Sequence, residues 1–180
     1  MSQTDVVREN NDEFAARRGY EGAAIYPWQN ICVITCLDPR TDPAGFMGLG
    51  LGAAATLRNA GGRVTSAMLA DLALISFLSE RQLKPGEPIF EVMVVHHNQC
   101  GTHFLADDAF RHELMQRAGG DEEDWIAEAV VHPEETVEKD VAAILADTGL
   151  SRRMTVSGHV YDVTTGILRM VVPTAPMPSL

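Results

Sequence analysis

Five residues with chemically active side chains follow two short apolar runs of the chain. Cys36 ends the first run and is followed at alternate positions by Asp38 and Arg40. The second run leads into His97, with Cys100 three residues later. Two thiolates and an imidazole are ligands that zinc binds tetrahedrally, and three protein ligands leave the fourth position free for water or substrate. Because sulfur ligands favour zinc over harder metals, this donor set predicts a catalytic zinc site.

Asp38 and Arg40 extend this pattern. Residues at alternate positions of an extended chain point to the same side, so both side chains can lie beside Cys36. An arginine can hold a carboxylate through two parallel hydrogen bonds and keep it ionised. The carboxylate could then accept a hydrogen bond from a hydroxide on the metal. The alternative is a surface Asp-Pro-Arg turn with an incidental ion pair, and sequence distance leaves both interpretations open.

The apolar runs before these residues are typical of buried strands in a parallel sheet. Residues 31–36 form a short β-branched run that Pro39 must end, and residues 89–95 form a second run that continues into His96 and His97. Sites in open parallel sheets form at the carboxyl ends of the strands. The metal ligands are therefore expected to meet at one edge of a sheet, although they come from separate parts of the chain.

The remaining segments predict an α/β fold with a mainly parallel sheet flanked by helices. A strong helix is expected over residues 66–82, with Phe77 and Leu78 on its apolar face. Further helices are expected over residues 104–117, 121–130 and 134–147, and further strands over 54–58, 154–161 and 167–172, the last two forming a hairpin. Right-handed crossovers are expected to place consecutive strands side by side. Residues 1–180 are interpreted as a single domain, of which residues 1–24 form an N-terminal arm.

The composition excludes several functional classes. The 180 residues include 14 Lys plus Arg and 25 Asp plus Glu, which gives a net charge of −11. Such an acidic chain is a poor binder of nucleic acid and of anionic membranes, since both require clustered positive charge. The sequence has no run of 18 apolar residues and no apolar segment of the secretory type near its N-terminus. We therefore expect no transmembrane helix and a cytoplasmic location.

The other cysteine and histidines near these motifs have more ordinary interpretations. In a reducing cytoplasm, cysteines are expected to be metal ligands or core residues rather than disulfide partners, and Cys32, inside an apolar strand, is interpreted as a core residue. His96 would point to the opposite face of the strand from His97 and is expected to be structural. His103 could shuttle protons, because an unperturbed histidine titrates near pH 6.5, or it could have an ordinary polar role.

The combination of Cys36-x-Asp38-x-Arg40 with His97-x-x-Cys100 resembles the β-class carbonic anhydrases, and the size of the chain is similar to that of their compact branch. The resemblance covers most of the chain, from about residue 31 to residue 172. It includes Arg-Asn-Ala-Gly-Gly at residues 58–62, Gly-His-Val-Tyr-Asp at 158–162 and Thr-Gly at 165–166. Several separate motifs therefore agree on one family.

The resemblance implies a reaction and a role for each motif residue. The implied reaction is the reversible hydration of carbon dioxide to bicarbonate by a zinc-bound hydroxide. By motif position, Cys36, His97 and Cys100 would be the zinc ligands. Asp38 and Arg40 would be the catalytic pair that orients the hydroxide. In some members of the family the equivalent aspartate binds zinc itself in an inactive, closed state.

The resemblance also implies an architecture and an assembly. The implied fold is a four-stranded parallel core with an added antiparallel strand. The implied assembly is a homodimer or a higher homo-oligomer, with the active cleft at the subunit interface. Residues 1–24 would then form a helical arm that packs over the partner subunit, which fits a segment with only a weak apolar stripe.

Three positions depart from the family pattern and leave the substrate open. Many compact relatives carry an aspartate where Ala53 stands, a histidine near Ala55 and an aspartate where Gln99 stands. These departures affect the polarity expected of the pocket. One alternative is therefore a hydrolase of COS or CS₂ on the same zinc site. Another is a catalytically inactive, zinc-binding regulatory homologue, although such a protein would not need an intact Asp38 and Arg40.

Overall fold

A computed structural model describes residues 2–179 of the protein, and a five-stranded sheet forms its centre. The strands are β1 (Ile31–Cys36), β2 (Ala54–Asn59), β3 (Glu91–His97), β4 (Thr155–Asp162) and β5 (Ile167–Pro176). Their spatial order is β2-β1-β3-β4-β5. The first four strands are parallel, whereas β5 is antiparallel to β4 at the edge. The predicted α/β class, with a mainly parallel sheet and an antiparallel edge strand, is confirmed.

Six α-helices lie within residues 2–179: α1 (Gln3–Ala16), α2 (Pro43–Phe46), α3 (Ser66–Gln82), α4 (Asp108–Ala118), α5 (Glu122–Ala127) and α6 (Pro133–Ala146). The Thr65 hydroxyl accepts a hydrogen bond from the Met68 amide and caps α3. Pro133 and two glutamates occupy the first turn of α6, where a missing amide and negative charge are both favourable. No helix in this part of the chain is long and apolar enough to cross a membrane.

The two faces of the sheet are covered to different extents. On one face the strands pack against α3 and α6, and this main core includes the following buried residues: Ile34, Leu72, Val94, Val137, Val141, Ile144 and Val156. On the other face a smaller cluster forms around Val33, Val95 and Tyr161. Phe46 and Met47, from the segment that contains α2, cover this second cluster. The second face therefore carries less packing from the described chain than the first.

The helix of the N-terminal arm stands apart from both cores. α1 begins with a capping box, in which Ser2 and Asp5 exchange hydrogen bonds. This local device explains how a segment with a weak apolar stripe starts a helix. No residue of α1 is buried against the rest of residues 2–179, and Val7 is largely exposed. The arm is thus helical by local interactions rather than by packing within its own subunit.

The predicted order of the strands is wrong at one point. β2 and β3 are consecutive in the chain, but β1 lies between them. The chain therefore adds β2 on one side of β1, crosses back through α3, and adds β3 on the other side. Open α/β sheets form their ligand crevices at such a reversal, outside the carboxyl ends of the strands. Cys36 and His97 are the last residues of β1 and β3, and the reversal places them there.

The buried side of α3 also differs from the prediction. Phe77 and Leu78, predicted on the apolar face, are 55% and 44% exposed. Ser76 and Ser79 are buried instead, and their hydroxyls donate hydrogen bonds to carbonyls in the preceding turn of the same helix. A serine that satisfies its hydroxyl within its own helix can be buried at little cost. Apolar periodicity gave no indication of this.

Several element boundaries differ from the prediction. The helix expected from residue 104 begins at Asp108, because residues 101–106 form a 3₁₀ turn and the Asp107 carboxylate caps the helix through the Phe110 amide. The helix expected over residues 121–130 ends at Ala127. At the sheet, β3 begins at Glu91 rather than residue 89, and β5 extends to Pro176 rather than residue 172. Caps and strand pairing set these limits more strongly than apolar pattern does.

Candidate metal centre

The three predicted zinc ligands lie together at the carboxyl ends of β1 and β3. The ligand atoms of Cys36, His97 and Cys100 all lie within 4.8 Å of one another, and the two sulfur atoms are 3.8 Å apart. All three side chains are buried. Cys100 returns to the site after a tight turn through Gln99, whose φ is +52°. The fold thus brings together two thiols that are 64 residues apart in the sequence.

The geometry of this group fits a tetrahedral zinc ion. Two sulfurs bound to zinc at roughly 2.3 Å in a tetrahedron lie roughly 3.8 Å apart, which agrees with the observed separation. The Nε2 atom of His97 is buried and finds no hydrogen-bond partner among the described residues. A buried polar atom without a partner is unfavourable unless a ligand satisfies it. The residues present therefore form a group that could hold a metal ion.

A single hydrogen bond sets the orientation of the His97 ring. Its Nδ1 atom lies 2.8 Å from the carbonyl oxygen of Asn98. Because a carbonyl can only accept, Nδ1 carries the proton and Nε2 keeps a free electron pair. Histidines that bind metals through one nitrogen usually donate the other N–H to a carbonyl or carboxylate in this way. The tautomer at His97 is thus the one that metal binding requires.

Hydrogen bonds to the two sulfur atoms favour negative charge at the site. The Asp38 amide donates to the Cys36 Sγ at 3.4 Å, and the Thr102 hydroxyl lies 3.2 Å from the Cys100 Sγ. The hydrogen bond with Cys36 holds the pKa of the Cys100 thiol well below its usual range, while that contact and burial raise the pKa of the Cys36 thiol. One thiolate therefore forms readily within this pair of sulfurs, and a bound cation would favour the second.

The end of β1 is packed directly against the backbone that follows β2. A Cβ atom at Gly62 would lie 2.7 Å from the Cys36 amide nitrogen and 2.7 Å from the carbonyl carbon of Thr35. The φ of Gly62 is +69°, a conformation that side-chain-bearing residues rarely adopt. Glycine is therefore needed at this position of the 58–62 motif, so that the ligand strand and the loop can approach each other.

Asp38 and Arg40 form the two-pronged ion pair that the sequence predicts. Arg40 donates to both carboxylate oxygens of Asp38, from Nε at 2.9 Å and from Nη2 at 2.6 Å. Hydrogen bonding from Arg40 lowers the pKa of Asp38 to about 2. The Arg40 Nη2 atom also donates to the carbonyl of Gln99 at 3.0 Å. The pair is thus tied to the turn between His97 and Cys100.

Comparison with known proteins identifies the family. No protein-family model matches the chain. Beta-carbonic anhydrase 1 of Mycobacterium tuberculosis is 29% identical over 174 residues, which are 96% of this chain and 100% of that protein. The crystal structure of a carbonic anhydrase from Streptococcus mutans is 32% identical, with a TM-score of 0.76 over 95% of this chain and 98% of that one. The chain belongs to the β-class carbonic anhydrase family.

Membership of the β-carbonic anhydrases confirms two predictions from the sequence. The fold class is confirmed, and so is the class of enzyme, since this is a family of lyases, the carbonate dehydratases. The apo form of a carbon disulfide hydrolase is also similar, with a TM-score of 0.59, 24% identity, and coverage of 94% of this chain and 90% of that one. At that level of identity, the likeness to the hydrolase concerns the fold alone.

The β-carbonic anhydrase motif is braced by two side chains that the reasoning from single residues missed. Arg58 donates from Nε to the Cys36 carbonyl at 3.0 Å and from Nη2 to the Asp38 carbonyl at 2.8 Å. The buried Thr41 hydroxyl lies 2.8 Å from the same Cys36 carbonyl. The family motif at residues 58–62 was the available signal for Arg58. For Thr41 the sequence offers no signal, because only the folded turn brings its hydroxyl to these carbonyls.

The other residues singled out in the sequence lie close to the centre or in the core. Cys32 is completely buried, as predicted, and burial raises the pKa of its thiol to about 12. His103 is exposed, its Nδ1 lies 2.6 Å from the Cys100 carbonyl, and its ring packs on Phe104. Its role in proton transfer stays a prediction. Ala53 is completely buried just before β2.

Proposed function

We propose that the protein catalyses the reversible hydration of carbon dioxide to bicarbonate with a zinc ion held by Cys36, His97 and Cys100. The observation that carries this proposal is the buried group of two sulfurs 3.8 Å apart beside a ring nitrogen that no described residue satisfies. Membership of the β-carbonic anhydrases supports the reaction type. Among metals, zinc suits two thiolates and an imidazole in a tetrahedral site.

The chain supplies the groups that would hold the reactants in place. Zinc in such a site supplies Lewis acidity, which makes water a nucleophile near neutral pH. With its pKa lowered to about 2, Asp38 is ionised and can only accept hydrogen bonds. It would therefore accept a hydrogen bond from the attacking hydroxide and so orient a lone pair of that oxygen towards the carbon of CO₂. Arg40 fixes both oxygens of Asp38 and keeps them from taking a proton.

Metal removal and reconstitution test the proposed function. Purified, reduced protein is expected to contain one zinc ion per chain by elemental analysis. It should hydrate CO₂ in a stopped-flow indicator assay. Removing the metal with a chelator should abolish hydration, and adding zinc should restore it, whereas adding magnesium should not. A preparation without bound zinc, or a zinc-loaded one that fails to hydrate CO₂ between pH 6.5 and 9, would contradict the proposal.

A hydrolase of COS or CS₂ on the same site is the second candidate. Two points favour it: Ala53, where the family resemblance leads us to expect an aspartate, is apolar and buried, and a carbon disulfide hydrolase shares the fold. Release of H₂S from COS and from CS₂ should be measured beside CO₂ hydration on the same zinc-loaded sample. A kcat/KM for either sulfur substrate above that for CO₂ would favour the hydrolase. Zinc binding without turnover of any of the three would favour the inactive homologue.

We also propose that the protein works as a homodimer or higher homo-oligomer in which residues 1–24 pack on a partner subunit. α1 buries none of its own residues within the described chain, and Ile25 and Trp28 just after the arm are 87% and 63% exposed. The less covered face of the sheet offers a surface to such an arm. Light scattering should give at least twice the chain mass for the full protein and the single-chain mass after removal of residues 1–24.

A cytoplasmic location completes the proposal. All three cysteines are free thiols in the described chain, and two of them must stay reduced to bind zinc. A reducing compartment preserves such thiols. Carbon dioxide and bicarbonate are then the partners of the site, and the net charge of −11 argues against nucleic acid. Cell fractionation with an antibody to the chain would test the location.

A further inference from the structure

The orientation of the His97 ring depends on one peptide carbonyl. The hydrogen bond from Nδ1 to the Asn98 carbonyl, 2.8 Å long, is the contact that fixes the ring nitrogens, because Nε2 has no partner in residues 2–179. A rotation of the peptide after Asn98 would move this carbonyl and turn Nε2 away from the two sulfurs. Whatever holds Asn98 therefore controls the third ligand.

The side chain of Asn98 is held by the turn between β4 and β5. Its Nδ2 donates to Asp162 Oδ1 at 2.8 Å, and its Oδ1 accepts from the Val163 amide at 2.9 Å. The Asn98 amide also donates to the Tyr161 carbonyl at 3.3 Å. Both ends of the side-chain amide and the backbone are thus engaged by three consecutive residues, the last two of β4 and the first of the turn that follows it.

Hydrogen bonds from the turn after β4 hold Asp162 in place in addition to its bond with Asn98. The amide and the hydroxyl of Thr164 both donate to Asp162 Oδ1, at 2.8 Å and 2.6 Å, and the Gly166 amide donates to the Asp162 carbonyl. The hydrogen bonds from Thr164 and Asn98 to the carboxylate hold the pKa of Asp162 well below its usual range. The carboxylate is ionised, so its bond to Asn98 is charge-assisted and stronger than a bond between neutral groups.

We propose that Asn98 and Asp162 are positioning residues for the metal, through which the β4–β5 turn aims Nε2 of His97 at the two sulfurs. The inference rests on the proposed Cys₂His site. Neither residue touches the ligand atoms, and both act through the Asn98 carbonyl. Partners of this kind behind a metal ligand typically contribute about 10- to 100-fold in metal affinity. Linkage also requires the reverse effect, so metal binding must stabilise the turn.

Metal affinity measured in a double-mutant cycle tests the proposal. Zinc affinity is obtained by chelator competition for the wild-type protein, Asn98→Ala, Asp162→Ala and the double variant. Each single variant is expected to bind zinc about tenfold more weakly. The double variant should bind no more weakly than Asn98→Ala, because Asp162 acts through Asn98. Ile167→Ala, at the exposed start of β5 beside the same turn and with its side chain outside these contacts, is the matched control and should bind as the wild type does.

Two further readouts separate positioning from general stabilisation. With cobalt(II) as the probe, the visible spectrum of Asn98→Ala should shift, since the nitrogen ligand is displaced, whereas that of Ile167→Ala should not. Asp162→Asn keeps an acceptor oxygen at the same place, so it should lose less affinity than Asp162→Ala. Hydrogen exchange at the Val163 amide should slow when zinc binds to the wild-type protein.

The outcomes distinguish this inference from the proposed function. If the wild type binds zinc but Asn98→Ala binds within about twofold of it, the inference is wrong and the function stands. The same holds if Asn98→Ala only lowers the unfolding temperature, or if the effects of the two alanine substitutions on affinity simply add. If the wild-type protein binds no zinc, the proposed function fails and the inference fails with it.

Discussion

His96 and His97 are neighbours on β3, are both almost completely buried, and face opposite sides of the sheet. Their surroundings differ in one decisive respect. On the α6 side, both ring nitrogens of His96 have partners: Nδ1 lies 2.7 Å from the Thr136 hydroxyl, and Nε2 lies 3.1 Å from an oxygen of Asp140. On the other side, the Nε2 of His97 has none within the described chain. The prediction that His96 is structural agrees with these contacts.

The cluster behind His96 is a closed network. Arg63 donates two hydrogen bonds to the carboxylate of Asp140, at 2.8 Å and 2.9 Å, and the Val64 amide adds a third at 3.1 Å. These bonds join α6 to the loop after β2, the same loop whose Gly62 lies against the ligand strand. The comparison shows that burial alone does not mark a functional histidine. A buried ring with satisfied nitrogens stabilises the fold, whereas one with a free nitrogen is available to a ligand.

The largest expected effect is the loss of the metal on the His97 side. His97→Ala removes a ligand, so it should reduce zinc affinity by more than about 100-fold, the upper limit for residues that only orient a ligand. It should also abolish CO₂ hydration. His103→Ala, which changes a nearby histidine outside the donor set, should keep its zinc. The measurement is zinc content after dialysis against a weak chelator. Full zinc occupancy in His97→Ala would contradict the distinction between a metal-binding His97 and a structural His96.

The second-largest expected effect is a loss of stability when the network around His96 is broken. Asp140→Ala leaves the half-buried Arg63 without its partner, and breaking a buried pair in this way costs about 3–5 kcal/mol of unfolding free energy. Urea denaturation of the zinc-loaded protein measures the change. Glu138→Ala on the exposed surface of α6 serves as the control and should change the stability by less than about 0.5 kcal/mol. A loss below 1 kcal/mol for Asp140→Ala would show that the network is not structural.

Asp38→Asn should lower the rate without a comparable loss of stability. The variant keeps the shape of the side chain but loses the ionised acceptor that orients the attacking oxygen, and misplacing a reacting group can cost about 100-fold in rate. Stopped-flow hydration should therefore fall by about that factor, while zinc content and the urea midpoint stay near those of the wild type. Unchanged hydration would remove the Asp38–Arg40 pair from the mechanism.

Acid should weaken the network behind His96. Burial by itself would raise the pKa of Asp140, but hydrogen bonds from His96 and Arg63 outweigh it and lower the pKa from 3.8 to about 2. The folded state therefore binds this proton less well than the unfolded state. The ionised Asp140 therefore contributes roughly 2.5 kcal/mol to the free energy of unfolding. This contribution is present above pH 3.8 and is lost as the pH falls towards 2. The stability gap between wild type and Asp140→Asn should accordingly narrow below pH 4, and a constant gap would contradict this.

The smallest expected effect concerns the turn between His97 and Cys100. Gln99 has a φ of +52°, which is costly for a residue with a long side chain. Gln99→Gly should relieve this strain and, after the entropy that glycine adds to the unfolded state, stabilise the protein by about 0.5–1 kcal/mol. Asn30→Gly is a matched control, since Asn30 has a similar φ of +55° but asparagine tolerates it. Equal gains at both positions would argue against strain at Gln99.

Much of the fold could be predicted because its signals are local. The run at residues 31–36 matches β1, and the helix expected over residues 66–82 matches α3, since an apolar pattern and a capping threonine both lie within the segment. The position of β2 in the sheet was not predictable in this way. Strand order depends on which side of β1 the chain returns to, and no local pattern records that choice.

The candidate site shows the same division. The types and spacing of Cys36, His97 and Cys100 predicted a donor set, because side-chain chemistry alone limits what these residues can bind. The braces around them were not predictable from single residues. The Thr41 hydroxyl reaches the Cys36 carbonyl only after folding, and so do Asp162 and Val163 reach the side chain of Asn98.

The sequence by itself determined the chemistry of this protein: two thiols, an imidazole and a carboxylate–guanidinium pair at the ends of apolar strands. The tertiary structure alone decided which polar atoms are satisfied and which stay free. That distinction is a property of distance and burial, since a nitrogen is unpaired only when the whole surrounding fold offers it no partner. The sequence predicts opposite faces of the strand for His96 and His97, and the fold decides that, of these two rings, only that of His97 keeps a nitrogen without a partner among residues 2–179.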